Sequence, residues 1–213
     1  MPGRAVPMTP PAVAGDYTFI GGTDGFLRCI NNRTGAQQWS LATGGRIYAS
    51  PTVADGCVYV GSSDGWAYCV EAHTGRLVWR FRAAPVDRRM NLFGYLCSTW
   101  PVLGGVTVQD GKAYFIGGMQ AEFGAHVYCV DARSGALVWQ NNSAGPSFVA
   151  AGRLGYSPQS YTAVMNGKLL GASGAGPVAG FNLATGAMDP VPSEFSSAGA
   201  AGCRAGCSRG IVV

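Results

Sequence analysis

The chain has 213 residues, of which 47% are hydrophobic and 12% charged, with 33 glycines and a formal net charge of +4. That composition is globular, and so much glycine suits many tight turns better than helices. It excludes collagen, which needs glycine at every third position, and disfavours a nucleic-acid binder, which needs a broad basic footprint.

The segment Met1–Gly15 has one Arg, four Pro and no apolar core. It does not read as a secretory signal. Residues 1–10 are expected to be disordered, and a cytoplasmic location follows only if Met1 is the true start. No run reaches the roughly 18 apolar residues of a membrane helix.

Internal repetition is the dominant pattern in the chain. Pro11–Trp39 and Pro51–Trp79 align without a gap at a separation of 40, sharing Pro11/Pro51, Val13/Val53, Gly21/Gly61, Asp24/Asp64, Gly25/Gly65, Cys29/Cys69, Thr34/Thr74, Gly35/Gly75 and Trp39/Trp79. A third copy, Val106–Trp139, places Cys129, Gly135 and Trp139 60 residues beyond their partners. A weaker fourth runs from Tyr161 to about Met188, keeping Thr185 and Gly186 but carrying Pro190 where the Trp is due.

Each copy reads as four short strands. In the second they are Ser50–Val53, Cys57–Ser62, Trp66–Glu71 and Arg76–Phe81. Asp55-Gly56 and Asp64-Gly65 are both expected as two-residue hairpin turns, with His73-Thr74-Gly75 as the third turn. The strands are continuous apolar runs, as expected for a sheet covered on both faces. The fold class is therefore all-β, a β-propeller of four-stranded antiparallel blades forming a partial ring of about four blades. The blades are expected at 11–42, 50–82, 100–140 and 157–190. In each T/S-G-x-x-x-W, the glycine (Gly35, Gly75, Gly135) makes a turn and the indole (Trp39, Trp79, Trp139) caps a blade junction.

A segment at 80–105 breaks the period and is expected as an inserted loop. Its Arg80, Arg82, Arg88 and Arg89, interleaved with Phe93, Tyr95 and Trp100, could hold an anionic ligand or an acidic protein surface. The competing reading is a solvated Arg run beside an aromatic plug. Residues 191–213 are rich in Gly, Ala and Cys and are expected to be a disordered tail. Cys203 and Cys207 there have CxxxC spacing but no further ligand pair nearby. With seven cysteines, at least one thiol is unpaired in the monomer. Cys29, Cys69 and Cys129 repeat in different blades, too far apart for a disulfide's Cα spacing of roughly 4.4–6.8 Å.

Asp64-Gly65, Tyr68-Cys69-Val70-Glu71-Ala72-His73-Thr74-Gly75 and Trp79, and then Asp131–Gly135 with Trp139, resemble the PQQ-like β-propeller repeat. The resemblance covers about residues 11–190. It implies a propeller of seven or eight blades, found in quinoprotein alcohol dehydrogenases, in the outer-membrane assembly lipoprotein and in sensor modules. It also implies an envelope or periplasmic setting if the chain is a fragment. No Trp-Asp dipeptide ends a copy, which sets the WD40 propeller aside.

The resemblance further implies PQQ with Ca²⁺, adjacent cysteines and an Asp base for an enzyme of this kind. This sequence has no Cys-Cys pair and no C-x-x-C-H. Of its eleven acidic residues, Asp16, Asp87, Glu122, Asp189 and Glu194 are left once turns and repeat positions are assigned, in no metal-binding spacing. His73 and His126 sit at unrelated positions. The expected function is therefore a non-enzymatic propeller segment for protein or ligand binding and scaffolding. No cofactor and no metal are expected. The alternative is a fragment of a PQQ-dependent oxidoreductase with calcium. Eight blades of about 40–45 residues need more than about 300. The expected partners are thus a protein, the remaining blades of the same propeller, or a second copy joined through open blade edges, and no nucleic acid.

Overall fold

The computed structural model describes residues 6–92, 94–144, 156–174 and 178–189. These form four antiparallel sheets of four strands, each ordered as in the chain. The first holds β1 (Ala12–Ala14), β2 (Tyr17–Gly21), β3 (Phe26–Asn31) and β4 (Gln37–Ala42). The second holds β5 (Thr52–Ala54), β6 (Cys57–Gly61), β7 (Trp66–Glu71) and β8 (Leu77–Arg82). A separate hairpin follows, β9 (Arg89–Leu92) with β10 (Tyr95–Ser98). The third sheet is β11 (Thr107–Gln109), β12 (Lys112–Gly117), β13 (His126–Asp131) and β14 (Leu137–Asn141). The fourth is β15 (Pro158–Met165), β16 (Lys168–Ser173), β17 (Ala179–Asn182) and β18 (Met188–Asp189). Within the described residues the only helix is a single 3-10 turn, Ala121–Phe123, and none is long and apolar enough to cross a membrane.

Strand alternation decides which neighbour each side chain meets. Val58, Val60, Tyr68 and Val70 of the second blade pack with Phe19, Leu27, Cys29 and Ile47 from the first. Tyr59, Cys69 and Trp79, on the other face, pack with Ala113, Phe115, Tyr128 and Val130 of the third. Tyr114, Ile116, Val127 and Cys129 then meet Leu169, Ala179 and Phe181 of the fourth. Blades two and three each bury both faces between their neighbours, so the core lies at the junctions and stacking supplies it. The first strands β1, β5, β11 and β15 touch one another in turn and form the inner rim of the arc. Thr52 Oγ1 donates to Val106 O and Thr107 Oγ1 to Thr162 O across that rim.

A β-bulge recurs beside each indole. Cys29 faces Trp39 while Ile30 faces Gln37, leaving Gln38 unpaired, and the skipped residue is Val78 in the second blade and Val138 in the third. The bulge aims each Trp at the following blade. Trp39 Nε1 donates to Ala72 O at 2.9 Å, Trp79 Nε1 to Ala132 O at 2.8 Å and Trp139 Nε1 to Leu183 O at 2.8 Å. Each ring lies flat against the turn glycine of that next blade, namely Gly75, Gly135 and Gly186.

Three local expectations are corrected. Asp55-Gly56 is a two-residue turn with φ of 47° and 73°, but Asp64-Gly65 is not. The β6–β7 connection is a four-residue loop, Ser62–Gly65, closed by Ser62 N donating to Trp66 O at 3.0 Å. Asp64 keeps a negative φ there because its carboxylate accepts from Trp66 N, Tyr68 Oη and Gly44 N. Residues 6–10 are not disordered: Thr9 N donates to Gly21 O and Thr23 N to Pro7 O, which lays the segment along the first blade. Within the insertion at 80–105, residues 80–82 end β8 and residues 89–98 form a β-hairpin instead of a loop, its turn set by Asn91 Oδ1 accepting from Gly94 N and by the φ of 85° at Gly94. The tail 191–213, with Cys203 and Cys207, and also Pro190, Phe93 and residues 1–5, lie outside the described residues.

Candidate functional site

The hairpin β9–β10 is anchored to the second blade. Ser98 N donates to Ser63 O at 2.8 Å, and Val102 N to Ser62 O at 3.0 Å. It leans over the ends of the inner strands, and its tip meets the connection between the first two blades. There Tyr48 Oη donates to Tyr95 Oη at 2.7 Å, and the Arg46 guanidinium lies 3.7 Å above the Tyr95 ring. Burial, together with the hydrogen bond from Tyr48, pushes the Tyr95 hydroxyl up to about 12, so the phenol is neutral at physiological pH.

Tyr48 and Tyr95 form one wall of an open hollow of about 540 Å³. Leu92, Leu103 and Met119 supply its aliphatic lining, and Gln120, Gln159, Ser160 and Tyr161 its polar groups. Gln159 is held in place because its Nε2 donates to Met119 O at 3.2 Å. The lining comes from the connections between blades one and two and between two and three, the β12–β13 loop and the start of β15, so the stacking of the blades assembles the hollow. Its rings, apolar chains and amides suit recognition of a ligand that is partly apolar and partly hydrogen-bonding.

The structure separates the six residues of the inserted segment. Arg80 and Arg82 lie on β8, the last strand of the second blade, and Arg80 rests 4.7 Å above the Trp66 ring. Arg88 stands 5.0 Å over Phe123, and Arg89 pairs with Asp87 at 3.4 Å. Trp100 is 8% exposed and donates Nε1 to Phe123 O at 2.7 Å, pinning the base of the hairpin to the third blade. Of the six, Tyr95 alone lines the hollow. Sequence reasoning missed Arg46, Tyr48, Met119, Gln159 and Tyr161. A signal is available for Arg46 and Tyr48, which fall in a blade connection where the repeat identities lapse, and for Met119, which falls in the lengthened turn of the third repeat.

A second groove, of about 700 Å³, opens at the opposite end between blades two and three, lined by Asp55, Glu71, Arg76, Asp131 and Arg133 among others. Three of its five charges are engaged locally. Glu71 accepts from Thr74 and pairs with Arg76 at 3.5 Å, while Asp131 accepts from Ser134 N and Oγ. His73 Nδ1 shares a hydrogen bond with Tyr17 Oη, and His126 Nδ1 with Asn142 Oδ1.

Among the described residues no three His, Cys, Asp or Glu side chains gather where a metal ion would sit. Calcium takes six to eight oxygens, carboxylates prominent among them, and no carboxylate is among the described residues lining the 540 Å³ hollow. PQQ carries three carboxylates, and Arg46 beside Tyr95 is the one cation placed against the lining by a described ring contact. The described residues lining this hollow do not fit the PQQ–calcium pair.

Residues 4–108 match the PQQ-like repeat family described as outer membrane protein assembly factor BamB. BamB from Moraxella catarrhalis shares the fold at a TM-score of 0.58 and 18% identity, over 84% of this chain and 48% of that one. The quinohemoprotein alcohol dehydrogenase from Comamonas testosteroni does so at 0.70 and 17%, over 88% of this chain and 34% of the enzyme. The computationally designed Ika4 protein gives 0.58 and 13%, over 86% and 95%. No curated protein matches. The chain therefore spans about half of BamB and a third of the dehydrogenase.

Proposed function

We propose, for a chain whose repeats are PQQ-like β-propeller blades, that it is a non-enzymatic arc of a larger propeller, a scaffold that binds a protein or ligand in its 540 Å³ hollow. The observation that carries this reading is the character of the hollow. Tyr48, Tyr95, Tyr161 and two glutamines surround three aliphatic side chains, a surface that grips without reacting. The blades hold that surface in shape, and the anchored hairpin adds one wall to it. The share of BamB and of the dehydrogenase that the chain spans supports the further point that other blades complete the ring.

A photocrosslinking amino acid at Tyr161, in the protein produced in its own cells, tests the binding role. A discrete adduct at Tyr161, absent from the same probe at exposed Leu137 on β14, is expected. Equal or no adducts at both positions refute it. Titration with PQQ and Ca²⁺ tests the oxidoreductase alternative, and a stoichiometric bound chromophore would establish that alternative instead.

A further inference from the structure

We infer that the outer edge of the second blade binds an extended acidic segment of another protein, gripped by Arg80 and Arg82 beside Trp66. The register of β7 with β8 sets Arg82 opposite Trp66 and Arg80 opposite Tyr68, so both arginines stand on one face of the sheet. The Arg80 guanidinium lies 4.7 Å from the centre of the Trp66 ring. Stacking holds its plane and leaves the in-plane N–H groups to take carboxylate oxygens in pairs. Both arginines are exposed, and among the described residues no carboxylate is within ion-pair distance of either. At the same positions the first blade pairs Phe26 with Ala42 and Arg28 with Ser40. The third sets Tyr128 opposite Gln140 and joins His126 to Asn142. Those blades form the same four-stranded sheet without arginine on the outer strand, so the pair is surplus to the fold.

The form of the ligand follows from the strand that carries the pair. β8 is the last strand of its sheet, so its outward backbone groups are placed to pair with an added strand. Residues two apart in a strand are separated by about 6.5 Å. Arg80 and Arg82 therefore match carboxylates on alternate residues of a strand laid against β8, each arginine facing one acid. Leu77, on the same face and 40% exposed, offers an apolar contact at the other end. A second copy of these 213 residues is not the partner, since no two of their 11 acidic side chains stand two positions apart. Trp66, Leu77, Arg80 and Arg82 do not line the 540 Å³ hollow, so this surface is separate from that binding site.

Fluorescence anisotropy of short labelled peptides, titrated with the full chain, tests the inference. A peptide of alternating Glu and Thr should bind, and one of the same composition with its glutamates in a single block should bind at least tenfold more weakly. Arg80→Gln and Arg82→Gln should each lower the affinity for the alternating peptide at least tenfold. Arg33→Gln, an equal loss of charge at an exposed site on the first blade, should leave it unchanged. Methylating the backbone nitrogens of the glutamates should act differently from methylating those of the threonines, because alternate N–H groups point to opposite edges of a strand. No binding, equal binding of the two peptides, arginine variants that bind like the parent, or equal effects of the two methylations would each overturn the inference. Tighter binding of a single-stranded oligothymidylate would overturn it too, by making the patch a site for a phosphate backbone.

Discussion

The indole of Trp79 lies so close on Gly135 that a methyl group there would stand 2.7 Å from its Cγ, inside any tolerable van der Waals separation. Gly135→Ala therefore combines a strained positive φ with a forced retreat of the ring. It should destabilise by about 2–4 kcal/mol. Gly111 also has a positive φ, of 69°, but open space around it, so Gly111→Ala isolates the backbone share at about 1 kcal/mol. Urea denaturation of the two variants checks the difference, and equal losses would count against the packing account.

Removing an indole outright acts on the junction as a whole. Trp79 is 8% exposed within the junction between blades two and three, and Trp79→Ala should cost about 3–5 kcal/mol. Trp39 and Trp139 are less fully covered, so their alanine variants should fall at or below the low end of that range. Unchanged denaturation midpoints in all three would refute the load assigned to these rings.

Asp24 gives the first blade an acid-sensitive tie. The hydrogen-bonded Arg28 guanidinium beside it holds its carboxyl below the usual aspartate value, against a smaller opposing effect of burial. A carboxyl depressed in the folded state contributes stability above its unfolded pKa, about 3.9, and loses it as the pH falls through the folded value. Arg28→Met should thus reduce stability at pH 7 and flatten the decline below about pH 4. A variant whose acid limb superimposes on that of the parent would argue against the tie.

Thiol reactivity should rank by burial. Burial pushes the Cys29 and Cys97 thiols up to about 11, so at pH 8 only about one in a thousand is ionised. Cys57 is half-buried and borders the 700 Å³ groove. Among the five described cysteines, iodoacetamide should modify Cys57 first in the native state, as read by peptide mass mapping. Faster labelling of Cys29 or Cys97 would show that the blade junctions open readily.

The blades were legible because each repeat must solve the same packing problem with the same residues. Identities from Pro11/Pro51 to Trp39/Trp79 mark the strands to within a residue or two. Asp64-Gly65 misled because a dipeptide cannot show that its carboxylate will accept from Tyr68 on its own blade and from Gly44 in the connection from the preceding one. The hairpin β9–β10 has no counterpart in the other repeats to be compared with. The hollow was invisible for a different reason: Tyr48, Tyr95 and Tyr161 are far apart in the chain, and only the stacking of four sheets gathers them.

The skipped residues Gln38, Val78 and Val138 make the distance from turn to indole a measured length. Deleting any one of them would restore an even ladder that keeps the tryptophan opposite its cysteine but removes the local bend that aims the ring at its glycine. Those three positions should tolerate changes of side chain far better than any change in chain length.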